Sequence, residues 1–281
     1  MDINSSTISF RITFIDLDDL KPHEEVIEQA VRQLAKAMRE ENEVRDPLIV
    51  DKQSLVILDG MHRYSSLKLL GCRFAPCCIV NYTDPAIKVG SWFRLFTVKE
   101  AEKLARKVMP HSEPRYAKLD GAIEQLDPDY QTIMLTKDGA RYSLQQPRSP
   151  TEFTRTAIKL EQEIVALGFH VDYQTEDVAL QSLSSGKVDL VIRVPIFTKQ
   201  QITDFGVRAL LLPHKVTRHI VPSRPLRTDI PLNMLTNQGV SEQEANRELD
   251  ELLGARRIQE KPPGSVVDGR RYEEETLVLN S

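Results

Sequence analysis

The chain has 281 residues, 41% of them hydrophobic and 28% charged, a globular balance unlike that of a disordered or membrane-embedded chain. Its net charge is −4 and its pI about 5.9, whereas a nucleic-acid-binding domain usually shows a basic excess, so no nucleic-acid partner is expected. The N-terminus has no basic region followed by an apolar core, and no apolar run approaches the roughly 18 residues needed to cross a bilayer. The expectation is a cytoplasmic protein with no membrane partner.

Residues 9–17 read as a strand that is broken at Lys21-Pro22-His23. Val26, Ile27, Ala30, Val31, Leu34 and Met38 then recur at three- and four-residue steps and predict a helix with one apolar face. Pro47-Leu48-Ile49-Val50 and Ser54-Leu55-Val56-Ile57-Leu58 are short apolar runs that suggest two paired strands, the second ended by Asp59-Gly60. His62 to Leu70 carries helix formers stopped by Gly71, and Ala75 to Tyr82 is the next strand. Residues 9–82 thus form a compact α/β unit with one polar turn at its centre. Cys72, Cys77 and Cys78 are too few and too local for a disulfide framework or a four-ligand zinc site, and read as reduced core thiols.

From about residue 100 the pattern changes. A helix over 101–109 precedes a hairpin signal, Lys137-Asp138-Gly139 between Thr132–Leu135 and Arg141–Leu144. A helix over 153–167 stopped by Gly168, a strand over 188–194 and a helix over 199–210 follow, before the polar stretch 213–218. Ser241-Glu242-Gln243-Glu244 has capping-box spacing and opens a helix to about Leu253; residues 261–271 read as loop, and Glu275–Leu279 as a closing strand. The predicted fold class is α/β (α+β): a lobe over 1–100, a second α/β lobe over 101–281, and the active site in the cleft between them.

Asp59-Gly60-Met61-His62-Arg63 has the build of a phosphate site. A Gly in a strand-to-helix turn lets backbone N–H groups approach a ligand, and the helix N-terminus adds partial positive charge. Arg63 can fork onto phosphate oxygens, His62 can donate a hydrogen bond, and Asp59 could hold Mg²⁺ or take a proton. An N-capping Asp beside a solvated Arg is an equally good reading of the same residues. His23-Glu24-Glu25 offers a general base for transfer to an alcohol, or merely carboxylates that favour a helix N-terminus. Trp92, the only tryptophan, is either core filler or a substrate wall, and Thr217-Arg218-His219 could grip a carboxylate.

Taken together, Lys21-Pro22-His23-Glu24, Pro47-Leu48-Ile49-Val50, Asp59-Gly60-Met61-His62-Arg63-Tyr64 and Lys88-Val89-Gly90-Ser91-Trp92 resemble the ParB/sulfiredoxin superfamily, and within it the free L-serine kinases. Lys215-Val216-Thr217-Arg218-His219 is similar to that family's C-terminal substrate motif, and 271–279 to the closing strand of its bacterial, ATP-dependent branch. The resemblance implies phosphoryl transfer from ATP or ADP, with Mg²⁺, to free L-serine. It implies Glu24 as catalytic base and Asp59 as an essential acid near Mg²⁺, with Gly60, Met61, His62 and Arg63 lining the phosphate pocket. His23, Trp92, Thr217, Arg218 and His219 would hold serine. Sulfiredoxins carry a cysteine where this chain has Met61, so their thiol chemistry is not expected, and the hairpin signal after residue 100 does not suit the helix-turn-helix of ParB. A nucleotide-binding regulatory switch, or a kinase for another hydroxyl amino acid, are the alternatives. A switch has no use for a base such as Glu24.

Overall fold

The computed structural model describes residues 1–5, 7–116, 132–144, 149–237 and 239–280. Contacts divide the chain into one unit of Met1–Val89, Thr198–His214 and His219–Ser281, and another of Gly90–Phe197 and Lys215–Arg218. Where the sequence reading cuts the chain once, at residue 100, the helix after residue 198 and the whole C-terminal segment return to the first unit. Hydropathy periodicity marks a face as apolar without saying which element covers it.

In the first unit, strands β1 (Asp2–Asn4), β2 (Ser9–Asp16), β3 (Leu48–Asp51), β4 (Ile57–Asp59) and β5 (Phe74–Val80) form one sheet in the order β1-β2-β5-β3-β4. Leu48, Ile49 and Val50 are buried, as are Phe74 to Cys78, so the central strands read as continuous apolar runs. The three cysteines are free and buried, and burial pushes their thiols up, as expected of core groups. Helix α1 (Glu28–Glu41) buries Val31, Ala35 and Met38, whereas Ile27 stands just outside it and is exposed. It is tied to α2 (Met61–Leu69) by the Ser66 hydroxyl, which donates to the Val31 carbonyl at 3.0 Å.

The strand β1 pairs with residues 9–11 and Met1 carries the pairing on to Ile12; beyond that point the edge of β2 is completed from far along the chain. Asn246 accepts the Phe14 N–H at 2.7 Å and the Thr13 hydroxyl at 2.6 Å. Residues 21–25 run beside β4 on one side and Leu212 on the other: Ile57 N–H donates to the Lys21 carbonyl at 3.0 Å, and Glu25 N–H to the Leu212 carbonyl at 2.8 Å.

The second unit holds strands β6 (Phe93–Phe96), β7 (Arg115–Tyr116), β8 (Thr132–Thr136), β9 (Ala140–Ser143), β10 (Asp172–Gln174) and β11 (Leu190–Ile192) in the order β10-β6-β11-β8-β9-β7. The predicted hairpin is β8–β9. One sheet face packs on α3 (Ala101–Val108) and α4 (Pro150–Ala166) through Phe96, Ile133, Phe153 and Ile164. The other packs on α5 (Glu176–Ser184) through Leu95, Leu135 and Leu183; this helix is absent from the sequence reading.

Back in the first unit, α6 (Lys199–Val207) is shorter than predicted. Its Gly206 leaves no room for a Cβ, which would lie 2.6 Å from a Val56 methyl. The capping box at Ser241 opens α7 (Glu242–Gly254) as expected. The final sheet is β12 (Arg224–Leu226) parallel to β14 (Thr276–Asn280), which pairs antiparallel with β13 (Arg257–Lys261). The loop read over 261–271 contains a minimal hairpin, Val266–Val267 with Arg270–Arg271.

Candidate active site

In the first unit the chain turns from β4 into α2 at Gly60, whose φ of +104° is a left-handed conformation that a side chain would strain. A Cβ at Gly60 would also meet Leu48 Cδ2 at 2.6 Å. No side chain caps α2 there, and a helix start of this kind can receive an anion.

Asp59 ends β4 with its Oδ2 held by two guanidiniums, Arg224 Nη1 at 2.7 Å and Arg63 Nη2 at 3.0 Å. Burial pushes the Asp59 carboxyl up, but the guanidiniums of Arg224, Arg63 and Arg270 outweigh it and hold the group well below the usual carboxylate range. Arg63 also donates to the Pro47 carbonyl at 2.8 Å, so its fork braces the turn. Arg224 is the hub of this arrangement: its Nε donates to Glu274 Oε1 at 2.9 Å and its Nη2 to the His219 carbonyl at 2.9 Å.

The sequence reading misses Arg224 and Glu274. The available signal is an arginine in the short apolar run Arg224-Pro225-Leu226, which can be buried only if it is paired.

Two histidines lie beneath the turn. His23 is 1% exposed and shares a 2.7 Å hydrogen bond through Nδ1 with the Ile57 carbonyl. His219 is 6% exposed, with Nε2 2.7 Å from the Tyr82 hydroxyl and a further hydrogen bond to the Leu58 carbonyl. The rings meet edge to face at 5.8 Å. Burial lowers the pKa of His23 to about 4 and, with His23 beside it, that of His219 to about 3, so both are neutral near pH 7. They hold successive carbonyls of the strand that presents Asp59.

Glu24, whose side chain is 11% exposed, places Oε2 3.9 Å from His23 Nε2. His62 accepts the Ile27 N–H on Nε2 at 3.2 Å, which puts the ring proton on Nδ1. Met61 is buried in the first turn of α2.

The second unit gathers a different set. Trp92 precedes β6, and its ring carries two cations, Lys215 Nζ at 4.8 Å and the Arg218 guanidinium at 5.5 Å from the centroid. Arg94, fully buried, fixes this group by donating to the carbonyls of Trp92 at 2.7 Å and Lys215 at 2.9 Å. Its Nε pairs with Glu161 at 2.9 Å, and Tyr173 donates to the other Glu161 oxygen at 2.5 Å. Thr217 is buried between the two cationic residues. Among the sequence-derived site residues, His23, Glu24, Asp59 to Arg63 and His219 therefore belong to the first unit, and Trp92, Thr217 and Arg218 to the second.

Among solved structures, the chain is similar to a free serine kinase in complex with AMP, with a TM-score of 0.64 and 23% identity over 84% of this chain and 97% of that one. It is also similar to SbnI with a C-terminal truncation from Staphylococcus aureus, with a TM-score of 0.67 and 17% identity over 86% of this chain and 95% of the other. The chain has the fold of the free serine kinases. By sequence it is 28% identical over 232 residues to an ATP-dependent L-serine kinase of Staphylothermus marinus, covering 79% of this chain and 90% of that one. It is 22% identical over 233 residues to the ADP-dependent L-serine kinase of Thermococcus kodakarensis, covering 79% and 92%. No family model matches the chain.

Proposed function

We propose that this protein is a kinase that moves the terminal phosphoryl group of a nucleotide onto the hydroxyl of free L-serine, giving O-phospho-L-serine. The observation that carries this reading is the Asp59-Gly60 turn, an uncapped helix N-terminus beside a carboxylate fixed by two guanidiniums, in the same unit as the carboxylate of Glu24. The kinase relatives support the acceptor and the nucleotide.

In this reading the first N–H groups of α2, from Met61, His62 and Arg63, receive the phosphates, and His62 donates from Nδ1. Glu24 accepts the proton of the serine hydroxyl as that oxygen bonds to phosphorus and the bond from phosphorus to the bridging oxygen of the leaving nucleotide breaks. His23 and His219 position the strand instead of touching substrate. Lys215 and Arg218, held on Trp92, supply cations suited to the amino-acid carboxylate.

Mg²⁺ fits what the turn offers. Asp59 keeps Oδ1 outside both guanidinium bonds, and Mg²⁺ is commonly bound by one or two carboxylates together with nucleotide phosphates. The ion would supply neutralisation of phosphate charge. ATP is the preferred donor, supported by the higher identity to the ATP-dependent relative.

The test is incubation with Mg²⁺, ATP or ADP and a panel of free amino acids, with mass spectrometry of the products. O-Phosphoserine is expected, formed faster with ATP. No phosphoamino acid from any acceptor would overturn the kinase reading. Glu24→Gln should lower turnover by roughly 100-fold or more with nucleotide affinity retained, and near-normal turnover would remove Glu24 as the base.

A further inference from the structure

The second unit carries a groove that the Trp92 group does not use. It is open to solvent with a volume of about 990 Å³, and its apolar lining is Val98, Leu104, Leu167 and Phe169. Leu167, at the end of α4, is 44% exposed there. Four ammonium groups rim the groove, from Lys99, Lys103, Lys107 and Lys137.

The first three recur at four-residue steps, and within α3 Lys103 and Lys107 stand one turn apart on the same edge. Like charges at that spacing destabilise a helix, a cost that the Glu100 carboxylate beside Lys103 reduces. Two of the four are matched within the lining: Lys137 Nζ lies 2.5 Å from Asp189 Oδ1, and Lys103 Nζ 3.0 Å from Glu100 Oε2. Lys99 and Lys107 have no carboxylate at ion-pair distance among the described residues. The groove is therefore locally cationic on a chain whose net charge is −4.

Its wall is fixed in advance, because Asp189 also accepts the Val98 N–H at 2.8 Å. It is separate from the Trp92 group: Trp92 precedes β6 and Thr97 follows it, which places them roughly 16 Å apart along the strand.

We propose that this groove binds a small amphipathic carboxylate, with its apolar body on Val98, Leu104, Leu167 and Phe169 and its anionic head between Lys99 and Lys107. Charge complementarity selects an anion. The volume falls within the roughly 300–1,000 Å³ of small-molecule pockets. The binding does not depend on the serine kinase reading.

The experiment is calorimetric titration of the full chain with decanoate, with acetate, decyltrimethylammonium and an oligoglutamate peptide as comparisons. Saturable binding of decanoate is expected, at least about tenfold tighter than any of the three. Lys99→Glu with Lys107→Glu, and separately Leu167→Asp, should each weaken it about tenfold; all three residues are exposed, so the variants should fold and keep basal phosphorylation activity. Absent or non-saturable decanoate binding overturns the proposal. So does equal binding of acetate or the cation, tighter binding of the peptide, or unchanged affinity in folded variants.

Discussion

Replacing Arg224 with Met deletes a guanidinium that is 4% exposed and bonds Asp59, Glu274 and the His219 carbonyl at 2.7, 2.9 and 2.9 Å. The two carboxylates are then left in different conditions. Asp59 is 32% exposed and keeps Arg63 at 3.0 Å, so water and one cation still compensate it. Glu274 is 4% exposed and loses its ion pair. Removing one member of a buried pair typically costs about 3–5 kcal/mol, most of it the penalty on the charge left behind. Arg224→Met should therefore lose about 3–5 kcal/mol of unfolding free energy, and the Arg224→Met/Glu274→Met double variant should lose less than that single, because no buried charge is orphaned. Glu274→Met alone leaves Arg224 with Asp59 and the His219 carbonyl and should cost about 1–3 kcal/mol. Urea unfolding of the four proteins near neutral pH, followed by circular dichroism, gives the coupling energy, expected to be at least about 2 kcal/mol. A single variant that loses under about 1 kcal/mol, or a double that is the sum of the singles, would refute the account of Arg224 as the hub.

Gly60→Ala should destabilise by about 2–4 kcal/mol, from left-handed backbone strain plus contact with Leu48; an unchanged thermal midpoint would contradict both. Stability should fall as pH drops from about 6.5 toward 4, because His23 and His219 stay neutral in the folded state while the unfolded chain binds protons there. For His23 alone the loss at pH 5 is about 2 kcal/mol, and a flat urea midpoint between pH 7 and 5 would show that the rings charge without cost. Arg218→Ala should raise the Michaelis constant for serine by roughly 30-fold or more while nucleotide affinity holds, and an unchanged constant would remove Arg218 from the carboxylate.

Most of the elements were legible because each leaves a local mark: alternation or an apolar run for β2 to β5, the Ser241 capping box for α7, glycines at 71 and 168 with positive φ after α2 and α4. The strand β13 left none. Its residues Arg257 to Glu260 are exposed, and the sequence Arg-Ile-Gln-Glu-Lys carries neither alternation nor an apolar run, so only its partner β14 defines it. The Asp59-Gly60 turn was legible from glycine alone. The roles around it were less so, because a histidine or arginine looks the same in sequence whether it faces a ligand or a carbonyl. His23 and His219, which resemble substrate ligands in the motif, are nearly inaccessible and spend ring nitrogens on Ile57, Leu58 and Tyr82. The apolar run around Arg224 says only that the arginine needs a partner if buried; that the partner is Glu274, fifty positions later, shows only in the fold.

The bonded charges at the turn then explain why glycine is required there. Asp59 and Glu274 are negative, Arg63 and Arg224 positive, and the four cancel; Arg270, which is exposed, acts on Asp59 only through its charge. Little net side-chain charge is left fixed at the turn to draw a phosphate. Under the proposed function the attraction then comes from Mg²⁺ on Asp59, from His62 and from the N–H groups at the start of α2, which are effective only at close approach because each carries a partial charge. Close approach depends on the backbone at Gly60 keeping its φ of +104° with nothing projecting from it. The guanidiniums fix where Asp59 stands and the histidines fix the carbonyls of the strand behind it; if the proposed function holds and the phosphate docks on the start of α2, a methyl group at Gly60 should impair nucleotide binding more than removal of any one surface cation.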